Sequence, residues 1–207
     1  QAELHKTIVM VTHDVEEAIK VGDMVAVFRP GGHLAQVDTP ERLLGAPADE
    51  YVEDFVGFDR GIRRLSFFSA AGLHLDVDGM LGEDATVGDA RAAAQRGGLT
   101  WVLVLDPERR PRGWASAAAL EPMGAGDLLG TADLAGVGHS FRPEKDSLRS
   151  ALDATVLSRT ERAVGVDDNG RAVGVVTYER LRDAIRMAEQ AADDGAPGGA
   201  HTEGARA

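Results

Sequence analysis

Among the side chains able to do chemistry, His13 holds the most useful place. It follows the apolar run at residues 7–11 and precedes Asp14, whose spacing from Glu17 marks a helix start, so the imidazole falls on a strand-to-helix turn. Such turns carry function, and an imidazole can donate, accept and change charge near neutral pH. His5, His33, His74, His139 and His201 have no metal-ligand spacing, and His13-Asp14 has no companion ligands at useful spacing, so no metal site is assigned. The absence of cysteine excludes thiolate zinc, iron–sulfur and disulfide chemistry. No G-x-x-x-x-G-K-[ST] occurs, so the chain carries no phosphate loop. With 22 Lys and Arg against 34 Asp and Glu, the net charge of −12 repels a phosphate backbone, and no nucleic acid is expected as a partner. No apolar run approaches the roughly 20 residues a membrane helix needs. Arg60, Arg63 and Arg64 cluster in this acidic chain and read as a contact for anionic lipid or an acidic partner, or as a solvated linker.

Residues 7–11 form a continuous apolar run, the pattern of a strand buried on both faces of a parallel α/β sheet. Val15, Ala18 and Ile19 then recur on one helical face until Gly22. Residues 23–28 and 34–37 flank Pro30, Gly31 and Gly32 and predict a hairpin. Thr39 and Pro40 open one short helix, and Pro47 opens another carrying Tyr51, Val52, Phe55 and Val56. A shift to Gly and Arg over residues 57–64 marks a domain boundary.

Beyond it lies an internal repeat. A shift of 61 positions superimposes residues 87–120 on 148–181 without a gap, matching Ala90 with Ala151, Ala93 with Ala154, Asp106 with Asp167, Arg110 with Arg171, Gly113 with Gly174 and Leu120 with Leu181. Each copy reads as helix, strand, polar turn, strand, helix. A unit of some 50 residues buries too little surface alone, so the copies should pack into one pseudo-symmetric module. The Gly-rich stretch between them reads as a loop, and Leu181, Ala184, Ile185 and Ala188 give a final amphipathic helix.

These motifs carry a resemblance. Val11, Thr12, His13, Asp14, Glu17 and Ala18 resemble the switch (H-loop) region of ABC transporter ATP-binding subunits. Gly22, Asp23, the run to Phe28, Gln36, Thr39, Pro40 and Glu41 are similar to the end of that nucleotide-binding domain. Pro47, Ala48, Tyr51, Val52, Phe55 and Val56 resemble importers for glycine betaine, proline betaine, choline and carnitine, in which the ATPase domain precedes two CBS domains. The resemblance covers roughly residues 1–190. It implies that His13 hydrogen-bonds the γ-phosphate of ATP and senses its loss. The phosphate loop, the Asp-Glu of the magnesium site and the signature motif normally lie upstream of that histidine, so ATP and Mg are expected to bind only in a longer subunit, and this chain alone is expected to be inactive.

In CBS pairs of this family a nucleotide meets Gly, two apolar residues, Ser or Thr, two more residues and Asp. Here the places are Gly113, Ser116 and Ala119 in the first copy and Gly174, Thr177 and Arg180 in the second. Both hydroxyls match and both Asp positions differ, Arg180 favouring an anion. Ser116, Thr177 and Arg180 are therefore the candidate ligand contacts, with cyclic di-AMP or another adenine nucleotide as the candidate ligand. The plain alternative is that both hydroxyls cap the helices that follow. Trp101 and Trp114 read as core.

The expected architecture is α/β, a C-terminal piece of an ABC ATPase domain (1–57), a linker (58–72), CBS domain 1 (73–121), a loop (122–136), CBS domain 2 (137–190) and a disordered tail (191–207), each CBS domain a βαββα repeat. The implied function is the energising subunit of a quaternary-amine osmoprotectant importer, peripheral on the cytoplasmic face of the plasma membrane. Its implied partners are a second copy, through ATPase and CBS domains, permease subunits and, indirectly, a substrate-binding protein. The rival reading is a stand-alone CBS sensor without catalysis.

Overall fold

Residues 7–194 are described by the computed structural model, and the chain divides into two units between Arg64 and Leu65. The predicted strand at residues 7–11 does not form. Ile8, Val9 and Val11 are exposed, because a strand exists only by pairing and no described segment pairs with this one. Helix α1 (Val15–Val21) starts at Asp14, whose carboxylate accepts from the Glu16 and Glu17 amides at 2.8 and 3.2 Å. Strands β1 (Val25–Arg29) and β2 (His33–Asp38) form an antiparallel hairpin. Its turn needs Gly31 and Gly32, which adopt φ of 87° and 80°.

Thr39 caps α2 (Pro40–Gly45), with the ring of Pro40 in the first turn. Helix α3 (Glu50–Val56) begins later than Pro47 suggests, because the Asp49 carboxylate caps the Val52 amide at 3.1 Å. The amide side chain of Gln36 holds the α2–α3 connection, donating to the Ala46 carbonyl at 3.1 Å and accepting from the Ala48 amide at 2.8 Å. Ile19, Val27, Leu43, Leu44, Val52 and Val56 form this unit's core.

The stretch 58–72, expected as a linker, contains helix α4 (Arg60–Arg64), which belongs to the first unit, and then Leu65 and Ala70, which are buried in the second. In the second unit, the first copy holds β3 (Met80–Gly82), α5 (Val87–Gly97), β4 (Trp101–Leu105), β5 (Pro111–Ser116) and α6 (Ala117–Leu120). The second holds β6 (Ser140–Phe141), α7 (Leu148–Val156), β7 (Arg162–Val166), β8 (Ala172–Thr177) and α8 (Tyr178–Asp194). Their sheets have equivalent orders, β3-β4-β5 and β6-β7-β8, the first pairing parallel and the second antiparallel in each. Helix α8 runs on into the stretch expected as a tail, and residues 195–207 of that tail lie outside the described residues.

The period of two along a strand explains the continuous apolar run of β4. Val102 and Val104 point into the core of the first copy, whereas Leu103 and Leu105 join Trp114, Val164, Ala172 and Val175 in a core shared by both copies. The second copy closes its own core around Phe141, Leu148, Ala151, Ala163, Val176 and Leu181.

The copies are tied together by the segments that precede each copy's first strand. Asp76, ahead of the first copy, exchanges two 2.8 Å backbone hydrogen bonds with Val175 of the second. Ala135, ahead of the second copy, exchanges two 2.8 Å bonds with Trp114 of the first. Each leading segment thus ladders onto the other copy's last strand. The stretch 122–136, expected as a loop, also buries Leu129 completely beneath the first copy.

These exchanged segments explain the matched glycines. A Cβ at Gly113 would lie 2.8 Å from the Leu134 Cβ, and one at Gly174 would lie 2.6 Å from the Leu75 Cβ. Backbone oxygens of Ala135 and Asp76 crowd the same two places, at 2.9 and 3.2 Å. Gly174→Ala is therefore expected to destabilise the second unit by about 1–3 kcal/mol, the cost of overpacking. A calorimetric melt checks this, and an unchanged melting temperature would contradict the close approach.

The matched Asp106 and Asp167 close the two hairpin turns, accepting from the Arg110 and Arg171 amides at 2.7 and 2.8 Å. The same 61-residue shift pairs Arg109 with Gly170, and both are left-handed, with φ of 66° and 76°. The turn demands that conformation, and only the second copy meets it with glycine.

Candidate functional site

His13 lies at a bend, exposed, between two residues that anchor the start of α1. The Thr12 hydroxyl donates to Glu17 at 2.9 Å and accepts the Asp14 amide at 3.0 Å, while Asp14 caps the helix. Thr12, Asp14 and Glu17 therefore fix the local backbone, and the imidazole takes no part in holding it.

The arginine cluster meets neither of its sequence readings. Arg60 donates to Glu53 at 2.7 Å and to the Leu44 carbonyl at 3.1 Å. Arg63 donates to Asp59 at 2.9 Å and lies 3.3 Å from Glu16. Arg64 is nearly buried, 3.9 Å from Glu41, with its guanidinium packed where a side chain on Gly45 would stand. The guanidinium groups face the unit's own carboxylates and carbonyls, so these arginines staple α4 onto the unit.

In the second unit, Ser116 and Thr177 end β5 and β8 and start the following helices. The Ser116 hydroxyl accepts the Ala119 amide at 3.0 Å, and that of Thr177 accepts the Arg180 amide at 3.4 Å. Both therefore cap helices, and each keeps an O–H donor for another partner. The surroundings of the two places differ. By the exchanged pairing, Ala135 beside Trp114 corresponds to Asp76 beside Val175. The first place thus offers Ala119 and Ala135, whereas in the second the Arg180 guanidinium meets the Asp76 carboxylate at 2.9 Å. His74 stands 3.9 Å from the same carboxylate. Arg162, at the start of β7, donates to the Trp101 carbonyl at 3.3 Å. Burial pushes the Arg162 guanidinium below its ordinary range and the charge of Asp76 opposes that shift.

The structure therefore brings Thr177, Arg180 and Asp76 together, leaves Ser116 in an uncharged counterpart, and puts His13 in the other unit. Asp76 and Arg162 were missed in the sequence. Arg162 left a trace, a cation aligned with Trp101 in an otherwise apolar pattern. Asp76 left none, because its role depends on a pairing between distant segments.

Other carboxylates carry shifts for purely local reasons. The Thr86 hydroxyl holds Asp89 below the usual carboxylate range, as the Arg142 amide does for Asp146 and the Arg171 amide for Asp167. A carboxyl depressed in the folded state stabilises fully above its unfolded pKa of about 3.9, and that contribution disappears as pH falls through the lower folded value. Urea unfolding should therefore lose stability below about pH 4, and Asp167→Ala should flatten that loss. An unchanged slope in the variant would remove Asp167 from the account.

Among the described residues, no group of three or more His, Cys, Asp or Glu side chains could hold a metal ion, and no helix is long and apolar enough to cross a membrane.

No family model matches the chain. It is 31% identical over 189 residues, 89% of its length, to the osmoprotectant import ATP-binding protein OsmV of Salmonella typhimurium. The chain is homologous to the C-terminal part of osmoprotectant ABC ATP-binding subunits. It is also 29% identical over 204 residues to the choline transport ATP-binding protein OpuBA of Bacillus subtilis. The chain spans about half the length of these relatives, 47% and 49%. Its second unit has the fold of a CBS domain pair. A CBS domain pair/ACT domain protein from Thermotoga maritima superimposes with a TM-score of 0.50, covering 58% of this chain and 98% of that one at 20% identity.

Proposed function

We propose that this chain is the regulatory C-terminal part of an ATP-binding subunit that energises uptake of glycine betaine, choline or a related quaternary amine. The observation that carries this reading is the likeness to OsmV over 89% of the chain, which runs through the hairpin unit and the CBS pair in one order. In this reading His13 contacts the γ-phosphate of ATP, and ATP with Mg is held by the phosphate loop of the longer subunit. This chain contains no phosphate loop, and in this reading it does not turn over ATP by itself. The subunit works as a homodimer beneath permease subunits, peripheral on the cytoplasmic face of the membrane, and meets the substrate-binding protein only through them.

The CBS pair acts as the sensor. Its second place fits an adenine nucleotide or cyclic di-AMP better than the motif alone suggests. Arg180 occupies the position where the family carries Asp, yet Asp76 supplies a carboxylate beside it. A guanidinium suits a phosphate and a carboxylate suits ribose hydroxyls, with the Thr177 O–H as a third contact. The ligand must part the Asp76–Arg180 ion pair in order to bind.

Deleting the gene that encodes this chain should abolish most osmotically stimulated glycine betaine or choline uptake, and unchanged uptake would overturn the transport reading. Calorimetry of the chain with AMP, ATP and cyclic di-AMP tests the sensor separately. Heat that is lost in Thr177→Ala supports the assigned place, and no heat from any of the three removes it.

A further inference from the structure

Strand β7 begins with a cation where its counterpart β4 begins with an indole. The 61-residue shift sets Arg162 against Trp101, and each stands first in its strand. In the antiparallel register Arg162 lies directly opposite Thr177, and Trp101 directly opposite Ser116. Opposed residues of a sheet share a face, with Cβ atoms about 5 Å apart, so each candidate hydroxyl has one of these side chains beside it. The period of two puts Arg162 on the face of Val164, which belongs to the core shared by the two copies.

A guanidinium at the edge of an apolar core is costly unless its donors are used. Those of Arg162 are largely unused. The group carries five N–H bonds, and among the described residues its one side-chain hydrogen bond goes to the Trp101 carbonyl at 3.3 Å. It forms no ion pair among the described residues, whereas Arg180 is taken up by Asp76 at 2.9 Å. The charge of Asp76 reaches Arg162 as well, so two guanidinium groups share one carboxylate. One positive charge is left over, in a chain whose net charge is −12. Being half-buried, Arg162 has already lost part of its water and gains more from an anion than an exposed cation would. The first place has no such group, since Trp101 and Ala119 occupy the corresponding positions beside Ser116.

We propose that Arg162 selects a phosphorylated ligand in the second place, and that the chain holds one such ligand, with none at Ser116. The proposal rests on the nucleotide-sensing role of the CBS pair and names which half of the module binds and by what chemistry. Arg162 donates to phosphate oxygens beside the Thr177 O–H, and it can do so with the Asp76–Arg180 pair still closed. Opening that pair turns the carboxylate to the ribose and adds the second guanidinium to the phosphate.

Calorimetry of the 207-residue chain with AMP and with adenosine tests this. One AMP per chain should bind, about tenfold or more tighter than adenosine, the scale of a hydrogen bond to a charged group. Arg162→Met should remove that preference by weakening AMP and leaving adenosine unchanged, and Arg162→Lys should restore part of it. A thermal melt of each variant separates selection from a merely structural tie between Arg162 and Trp101. A lowered melting temperature with the preference intact overturns the proposal. Two AMP per chain, or equal affinities for AMP and adenosine in the unaltered chain, also overturn it and leave nucleotide sensing standing. If AMP does not bind, the selection by Arg162 falls, and the sensing role stands or falls separately on ATP and cyclic di-AMP.

Discussion

Trp114→Ala is expected to destabilise the CBS unit by about 3–5 kcal/mol, the range for deleting a large aromatic from a packed core. The side chain is 1% exposed and sits in the core shared by both copies, against Leu103, Leu105, Val164, Ala172 and Val175. Its backbone meanwhile holds Ala135 of the exchanged segment through two hydrogen bonds. A cavity there loosens both copies at once. Stabilities of domains this size are about 5–15 kcal/mol, so the change removes a large fraction of the total.

The indole of Trp114 adds a second measurement. Its Nε1–H is buried and has no hydrogen-bond partner among the described residues. An unsatisfied buried donor is costly, and phenylalanine removes that donor while keeping much of the ring. Trp114→Phe should therefore cost less than half as much as Trp114→Ala in urea unfolding. Equal losses would mean that the N–H is engaged and the packing argument incomplete.

In the full-length subunit, His13→Ala is expected to lower ATP turnover about a hundredfold, the scale for removing one positioned donor from developing phosphoryl charge, with ATP affinity changed only slightly. The argument gains force from the local structure. Thr12, Asp14 and Glu17 carry the hydrogen bonds that start α1, and His13 carries none of them. The substitution therefore leaves the helix intact, and a loss of turnover reports chemistry. Asp14→Ala is the contrasting variant, since it removes the cap and should lower stability by about 1 kcal/mol. Wild-type turnover in His13→Ala would eliminate the proposed contact with the γ-phosphate.

The candidate residues were legible to different depths for physical reasons. His13 stood out because its neighbours form a local motif, and the structure adds how Thr12 and Glu17 anchor it. Ser116 and Thr177 were legible because the repeat doubles the signal. Their capping bonds are local too, spanning three residues. The arginine cluster was misread because its ion pairs connect α4 with residues as distant as Glu16 and Glu41, and charge density alone cannot reveal such partners.

What the sequence determined by itself is the local structure. The Pro30-Gly31-Gly32 turn, the Thr39 and Asp14 caps and the 61-residue repeat each act over a few neighbouring residues or by direct comparison of two stretches. Tertiary structure alone decided which distant backbones meet. Residues 7–11 have the pattern of a buried strand and remain exposed, because a pattern cannot supply the partner that pairing requires. Ala135 lies in a stretch that reads as a loop and Asp76 ahead of the repeated elements, yet both ladder onto the opposite copy and decide that one candidate place is charged and its counterpart uncharged. Hydrogen bonds between segments so far apart in the chain leave no periodicity, so only the folded molecule specifies them.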